Sequence, residues 1–156
     1  CMRWRPMAFA SATKNVLLTV NAEGRATHWH VTSGKALHTT ELEGEAFHCV
    51  DYSHDGNFYA IGCKGGNIQL FDETTKSEMV SLRMGMGDRM GHSNRVFSVK
   101  FIDEHTLVSG GWDNNLMMWD LRTSRVQQAF YGPQVCADTL DVSGDLILAG
   151  GFTVDE

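Results

Sequence analysis

The chain has 156 residues, of which 42% are hydrophobic and 21% charged, with 16 glycines and 2 prolines; this composition is typical of a globular domain and excludes disordered, collagen-like and disulfide-stapled chains. Its 19 acidic and 13 basic residues give a net charge of −6, and the basic residues are scattered, so we expect no nucleic-acid partner. No segment has the length and apolarity of a membrane span, and no secretory signal is evident, so we expect no insertion into a membrane.

The four cysteines form no C-x-x-C pair and no Cys/His cluster at metal-binding spacing; they are Cys1, Cys49, Cys63 and Cys136. Neither a zinc site nor a redox motif is therefore predicted. We expect all four thiols to be reduced and buried. Reduced cysteines favour a cytoplasmic location, with the nucleus as the alternative.

Three segments along the chain align without gaps, at residues 18–30, 60–72 and 108–120. Each has a short β-rich run, a polar turn with Gly or Asn, and a second short run that ends near an aromatic residue. This pattern predicts two antiparallel strands joined by a tight turn. The aromatic residues are spaced 42 and 48 positions apart and are Trp29, Phe71 and Trp119.

Each predicted hairpin is flanked by two further predicted strands. The upstream segments alternate apolar and polar residues and end on an aromatic, which predicts inner strands at 1–4, 49–52 and 98–101. The downstream segments are less apolar, as expected of strands near solvent, at 36–41, 78–82 and 125–130. The pattern begins a fourth time with predicted strands at 136–142 and 146–151. Since no segment has capped helical periodicity, the sequence predicts an all-β fold with at most one helical turn.

Four-stranded units that recur every 40 to 50 residues, with an aromatic–Asp pair ending the third strand, resemble the WD40-repeat (WD-repeat) family of β-propellers. The third unit carries the resemblance most fully, with Gly91 and His92 before its first strand and Trp119 and Asp120 at the end of its third strand. The resemblance implies four-stranded antiparallel blades, about three and a half of them, in a partial ring. It also implies one hydrogen-bonded relay, made of His92, Ser109, Asp113 and Trp119.

The other units depart from this relay pattern. The first keeps Thr19 and Trp29 but has Glu23 at the position of the turn carboxylate. The second has Ile61 and Phe71, so we expect it to hold by apolar packing alone. The fourth has Ala149 and Thr153 at the Ser and Asp positions, so we expect no relay there.

The predicted units are a blade at 1–43, a blade at 44–83, an inter-blade insertion at 84–90, the best-matching blade at 91–131 and a truncated blade at 132–156. Because closed propellers have four to eight blades, we expect a fragment whose remaining blades belong to the same chain, or else a ring completed by two copies. The insertion is rich in Met and Gly. It is interpreted as a flexible linker, with an adaptable contact surface as the alternative.

No catalytic, cofactor or metal site is predicted. His28 and His30 lie two residues apart on a strand, which a metal pair would require, but no third ligand accompanies them and a structural role is favoured. The glycine-rich insertion matches no phosphate-loop motif. The His, Ser and Asp of the third unit resemble a catalytic triad only in composition, since the blade relay accounts for them.

The resemblance places partner binding on a rim formed by loops at one end of the blades. It assigns the position just before the turn carboxylate to Ala22, Lys64, Trp112 and Phe152, with Asn94 and Arg95 beside them and Glu43 and Glu45 equivalent in the preceding unit. Trp112 is the strongest candidate, because tryptophan is enriched in binding hot spots; packing against the neighbouring blade's loop is the alternative.

We therefore expect a non-catalytic scaffold or adaptor whose rim binds a protein or peptide partner. Two alternatives remain open at this point. One is a structural subunit of a large cytoskeletal or ciliary assembly, and the other is a reader of a peptide or small ligand at the central channel.

Overall fold

Regular structure in the chain is almost entirely β. The computed structural model describes residues 1–8, 13–85 and 90–152, and the helical structure in these residues is a single 3-10 turn, Val31–Ser33. The strands form three four-stranded antiparallel sheets and one two-stranded sheet, each made of consecutive strands. The predicted all-β fold of four-stranded antiparallel units is confirmed.

We call these sheets blades 1 to 4. Blade 1 contains β1 (Met2–Trp4), β2 (Val16–Val20), β3 (Arg25–His30) and β4 (Lys35–Glu41). Blade 2 contains β5 (Phe47–Tyr52), β6 (Phe58–Cys63), β7 (Ile68–Asp72) and β8 (Glu78–Leu82). Blade 3 contains β9 (Val96–Phe101), β10 (Thr106–Gly111), β11 (Asn115–Asp120) and β12 (Arg125–Tyr131), and blade 4 contains β13 (Leu140–Ser143) and β14 (Leu146–Ala149).

The first strands of successive blades lie side by side. β1 contacts β5, β5 contacts β9, and β9 contacts β13, whereas the later strands of each blade pair outward in sequence order. The sheets therefore radiate from an inner row of strands and form a partial ring. This arrangement brings the turns between second and third strands to the same end as the loops that enter the first strands.

The turns between second and third strands share one backbone conformation. Gly24, Gly66 and Asn114 occupy equivalent positions, with φ of 73°, 83° and 58°. Asparagine tolerates this left-handed region better than other residues with a side chain. At Gly66 the turn also approaches the neighbouring blade closely, since a Cβ atom there would lie 2.7 Å from the carbonyl oxygen of His92.

Blade 2 buries both faces of its sheet. One apolar cluster joins it to blade 1 through side chains such as Ile61 and Leu18, and a second joins it to blade 3 through Ala60, Leu70 and Trp119. Alternate residues of β6 thus face opposite neighbours, as the pleat requires. For this reason β6 and β7 consist of nearly continuous apolar residues, whereas the outer strand β4 is mostly exposed.

A buried polar cluster between blades 1 and 2 corrects the expectation that the second unit holds by apolar packing alone. The Glu73 side chain is fully buried and accepts hydrogen bonds from Arg5 Nη1 at 3.1 Å and Tyr52 OH at 3.2 Å. It also pairs with His28 Nε2 at 2.9 Å and with Lys76 Nζ. Burial alone would raise the pKa of Glu73, but His28 and Lys76 together lower it to about 2.

The cysteines are only partly buried. All four are free; Cys49 and Cys63 lie in the apolar clusters, whereas Cys136 is half-buried and Cys1 is exposed. The prediction that all four are buried is therefore wrong for two of them. Burial raises the pKa of the Cys49 and Cys63 thiols above the ordinary range, so these two remain protonated at neutral pH.

Parts of two predicted features lie outside the described residues. They are residues 86–89 of the 84–90 insertion and Thr153 of the fourth unit. Across the described ranges, no helix has the length and apolarity needed to span a membrane.

Replacing Glu73 with glutamine should destabilise the protein by about 3 kcal/mol, because it removes a fully buried anion that pairs with the largely buried side chains of Arg5 and Lys76. Denaturant unfolding of Glu73→Gln measures the loss. The control is Glu78→Gln, which removes an exposed carboxylate on β8 and should change stability by less than about 0.5 kcal/mol. Equal effects of the two substitutions would contradict a special role for Glu73.

The Glu73 cluster should also give the protein a distinct acid sensitivity. Since the folded-state pKa of about 2 lies below the ordinary value of 4.5, the charged carboxylate stabilises the fold above pH 4.5, and this contribution is lost as the pH falls toward 2. Unfolding free energies measured across this range should fall more steeply for the wild type than for Glu73→Gln. Parallel curves would show that Glu73 titrates normally.

Candidate functional site

One end of the blades carries the features that the sequence assigned to partner binding, and we call this end the rim. It contains the turns between second and third strands and the loops that enter β5, β9 and β13. In three blades the same backbone hydrogen bond ties turn to loop: Lys64 N to Ala46 O at 2.9 Å, Trp112 N to Arg95 O at 3.0 Å, and Phe152 N to Gln134 O at 3.1 Å. The repeat of this bond gives each turn a fixed position beside its loop.

In blade 3 the four side chains of the expected relay meet. The Trp119 indole Nε1 donates to Ser109 Oγ at 2.8 Å, and Ser109 Oγ lies 2.7 Å from His92 Nε2. On the other side of the ring, His92 Nδ1 lies 2.9 Å from Asp113 Oδ2. With the proton on Nδ1, the imidazole donates to Asp113 and accepts from the Ser109 hydroxyl. Every N–H and O–H group of the relay then has an acceptor.

Asp113 connects this relay to the rim. Its carboxylate also accepts hydrogen bonds from Ser93 N at 3.0 Å and Asn115 N at 3.3 Å. Burial would raise the pKa of Asp113, but the contacts with His92 and the backbone amides lower it below its ordinary value. The hydrogen bonds of Asp113 thus hold the 112–114 turn against the 91–95 loop. They also fix the position of Trp112.

The other blades keep less of the relay. In blade 1, Trp29 Nε1 donates to Thr19 Oγ1 at 2.9 Å, but Trp29 is 37% exposed. In blade 2, Phe71 instead stacks on Tyr59 with ring centroids 5.0 Å apart. Glu23 pairs with Arg25 on the surface, at 3.0 Å.

The two histidines of β3 form hydrogen bonds with different residues and are not arranged as a pair of metal ligands. His28 is bound to Glu73, whereas His30 Nδ1 lies 2.7 Å from Ser33 Oγ. No group of three His, Cys, Asp or Glu side chains that could hold a metal ion occurs among the residues described.

The rim of blades 2 and 3 carries a stacked group of rings, which we call the aromatic cluster: His48, Phe97 and Trp112. His48 lies parallel to Phe97 at 4.5 Å between centroids, and Phe97 contacts Trp112 at 5.1 Å. The Arg95 guanidinium lies 4.9 Å above the Trp112 ring, within cation–π distance. Trp112 packs on Phe97 and Arg95 of its own blade, not on the loop of the neighbouring blade as the packing alternative expected, and it remains partly exposed.

Sequence reasoning missed His48 and Phe97. Each is the residue left unpaired where the register shifts between the first and second strands of its blade, so each is a β-bulge residue. A bulge re-aims one side chain relative to its neighbours, and here both bulges direct rings to the rim. The available signal was positional, since both residues immediately precede the predicted inner strands 49–52 and 98–101.

The remaining predicted rim residues are placed differently. Lys64 and Asn94 are exposed on the rim, and Asn94 Oδ1 accepts a hydrogen bond from Arg95 N at 2.8 Å. Phe152 is 69% exposed and lies in blade 4 beside Gln134, where no ring contact joins it to the aromatic cluster among the described residues.

His48 and Phe97 of the cluster, together with the starts of the inner strands, also line an open cavity of about 510 Å³ at the mouth of the central channel. The charged groups here pair with one another across the channel. Arg3 Nε lies 3.0 Å from Asp51 Oδ1, and the same guanidinium also pairs with Asp138. Asp138 Oδ1 in turn accepts a hydrogen bond from Ser98 Oγ at 3.1 Å.

Comparison with known proteins gives a consistent family assignment. The family model described as "WD domain, G-beta repeat" matches residues 34–72 and 87–120. WD repeat-containing protein 91 of Bos taurus is 28% identical over 135 residues, which cover 85% of this chain and 16% of that protein. The APC/C activator protein CDC20 of Saccharomyces cerevisiae is 27% identical over 153 residues, covering 75% of this chain and 25% of that protein.

A solved structure shows the same fold. The structure of U3-55K superimposes with a TM-score of 0.71 at 18% identity, over 86% of this chain and 39% of that one. The chain thus spans between about one sixth and two fifths of the length of these proteins.

Removing the Ser109 hydroxyl should cost more stability than removing its counterpart in blade 1. Ser109→Ala leaves the buried Trp119 N–H and His92 Nε2 without a partner, so we expect a loss of about 2 kcal/mol. Thr19→Ala leaves the Trp29 N–H within reach of water, so we expect a loss below about 1 kcal/mol. Denaturant unfolding of both variants tests this difference, and a larger loss for Thr19→Ala would contradict it.

Proposed function

Because the chain belongs to the WD40-repeat family of β-propellers, we propose that it is a non-catalytic interaction module that binds a protein or peptide partner on its rim. Propeller domains of this family are generally protein-interaction scaffolds. Fold alone does not assign a binding site. The proposal therefore depends on the side chains of the rim.

The aromatic cluster is the observation that supports the rim as the binding surface. It presents Phe97, His48 and Trp112 as one partly exposed surface across two blades. Large, rigid rings contribute contact area at low entropic cost and are enriched where binding energy concentrates. The polar residues Lys64 and Asn94 are exposed on the same rim, as expected of a protein interface.

Two features favour this function over catalysis. The Ser109 and His92 side chains are 0% and 2% exposed, so a substrate cannot approach the hydroxyl that a nucleophile would need. The hydroxyl is also occupied, because it accepts the Trp119 N–H. The His, Ser and Asp groups therefore fit a structural role in blade 3.

The channel is a weaker candidate than the rim. A ligand at its mouth would meet Arg3 and Asp138, whose charges already pair with each other, and Arg3 also pairs with Asp51. Binding there would require breaking these pairs, whereas binding on the rim would not.

Trp112→Ala should remove partner binding, while a matched change at the opposite end of the blades should not. The control is Val31→Ala, an exposed apolar residue that is 44% accessible in the turn after β3. Quantitative mass spectrometry of proteins that co-purify with each variant should show specific partners reduced about tenfold or more by Trp112→Ala and unchanged by Val31→Ala. Melting temperatures would establish that both variants are folded.

Partners retained by Trp112→Ala and lost from Val31→Ala would place binding at the other end of the blades and refute the proposal. Equal retention by both variants would exclude the aromatic cluster as a binding surface.

A further inference from the structure

We propose that the rim of blades 2 and 3 recognises an acidic peptide segment of its partner, one in which Asp or Glu carboxylates flank an apolar or aromatic side chain. This inference rests on the proposed function, because it assumes that the rim is the binding surface. It adds the chemical class of the partner, which neither the family nor the fold specifies.

The cations of this part of the rim are free. Neither Arg95 nor Lys64 forms an ion pair with any residue that the structure describes. Most other basic groups differ in this respect, and Arg3 and Lys76, for example, each pair with a carboxylate. Arg95 instead rests on the Trp112 ring at 4.9 Å, and Lys64 projects from the neighbouring turn.

The nearest carboxylates of the rim are already engaged by the protein itself. Glu45 Oε1 accepts hydrogen bonds from Ala46 N at 3.1 Å and Gly65 N at 3.3 Å. Asp113 is held by His92 and by Ser93 N. These two carboxylates therefore face donors within the protein, whereas the side chains of Arg95 and Lys64 remain available to a ligand carboxylate.

The electrostatic environment of His48 agrees with this arrangement. Burial lowers the pKa of His48, and the positive charges of Arg95 and Lys64 lower it further, against the opposing effect of Glu45. A cationic ligand would meet the same repulsion at this place. A carboxylate would be attracted.

Two nitrogen atoms of the aromatic cluster also lack hydrogen-bond partners. Trp112 Nε1 and His48 Nε2 are shielded from solvent and make no hydrogen bond to a described residue. An indole nitrogen can only donate, and a neutral imidazole can donate from Nε2. Both atoms would gain a partner from an acceptor-rich ligand, and a carboxylate is the side chain with the most acceptor sites.

Arg95 connects the positive charge of the rim with the aromatic cluster, because its guanidinium lies over the Trp112 ring. Its guanidinium makes no hydrogen bond or ion pair with the residues described, so only its contact with the indole ring holds it in place. Moving from the ring to a ligand carboxylate would exchange a cation–π contact for a charge-assisted hydrogen bond. The same movement would open the Trp112 edge to the ligand.

A groove beside the cluster extends the surface for a peptide chain. It has a volume of about 350 Å³ and lies between the turn at Gly65 and the loop at Ser93, with Arg83 and Met84 along its wall. Glu45 and Asn67 also line this groove, so a peptide lying across the rim would meet a mostly polar wall, a third basic residue and the aromatic cluster together.

The test uses the purified protein and an immobilised array of short synthetic peptides in acidic, neutral and basic sets with the same apolar residues. We expect the acidic set to bind most strongly, with binding that weakens as salt is added. Lys64→Glu and Arg95→Glu should each weaken binding of the acidic set about tenfold or more. Lys64 is informative because it is exposed and lies outside the aromatic cluster as defined.

The matched control is Lys35→Glu, which makes the same charge change at an exposed position at the opposite end of blade 1. It should leave binding unchanged. An equal loss with Lys35→Glu and Lys64→Glu would mean that the chain responds only to net charge, and the proposal would fail. Preferential binding of the basic or neutral set would also overturn it.

The outcomes separate this inference from the proposed function. If Trp112→Ala abolishes binding of every set and Lys64→Glu has no effect, the rim binds partners but the acidic specificity is wrong. If neither variant changes binding, both proposals fail. Stronger binding of a single-stranded oligonucleotide or phosphatidylserine vesicles than of the acidic set, lost in Lys64→Glu, would replace the acidic peptide with a different class of ligand.

Discussion

The two-sided burial of blade 2 is the constraint on which the rest of the structure depends. A sheet packed on both faces has no solvent-facing side, so β6 and β7 are apolar at nearly every position. Any polar group within such an interface must find its partner there. Glu73 does so by pairing with cations and a tyrosine from both blades. In blade 3 the relay through Ser109 satisfies the buried indole of Trp119 in the same way.

The turn that joins β10 and β11 carries both a residue of the buried relay and the proposed contact residue. Asp113 is a member of the buried relay, and Trp112, its neighbour, belongs to the aromatic cluster. The hydrogen bonds that satisfy the buried polar groups of blade 3 therefore also fix the position of Trp112 on the rim. If Trp112 contacts a partner as proposed, its place on an element that the core fixes would reduce the entropy lost on binding.

The parts of the structure that could be predicted from sequence are those encoded by neighbouring residues. Hairpins follow from short alternating runs around Gly or Asn turns, and the relay from His92 to Trp119 was implied by the resemblance of the third unit to the WD-repeat family. The Glu73 cluster could not be predicted, because Arg5, His28 and Tyr52 lie far apart in sequence and none stands out alone. His48 and Phe97 were missed because a bulge depends on strand register, which the sequence of one strand does not reveal.

The order of pairing has a consequence for how the chain folds during synthesis. Each sheet is a meander in which every strand pairs with its immediate neighbours, so its hydrogen bonds span short distances along the chain and can form quickly. The apolar clusters, however, lie between successive sheets. A newly made blade therefore leaves the ribosome with its hairpins complete but one apolar face bare, until the following blade is translated. Each nascent blade is accordingly a stage at which a chaperone has an apolar sheet face to protect.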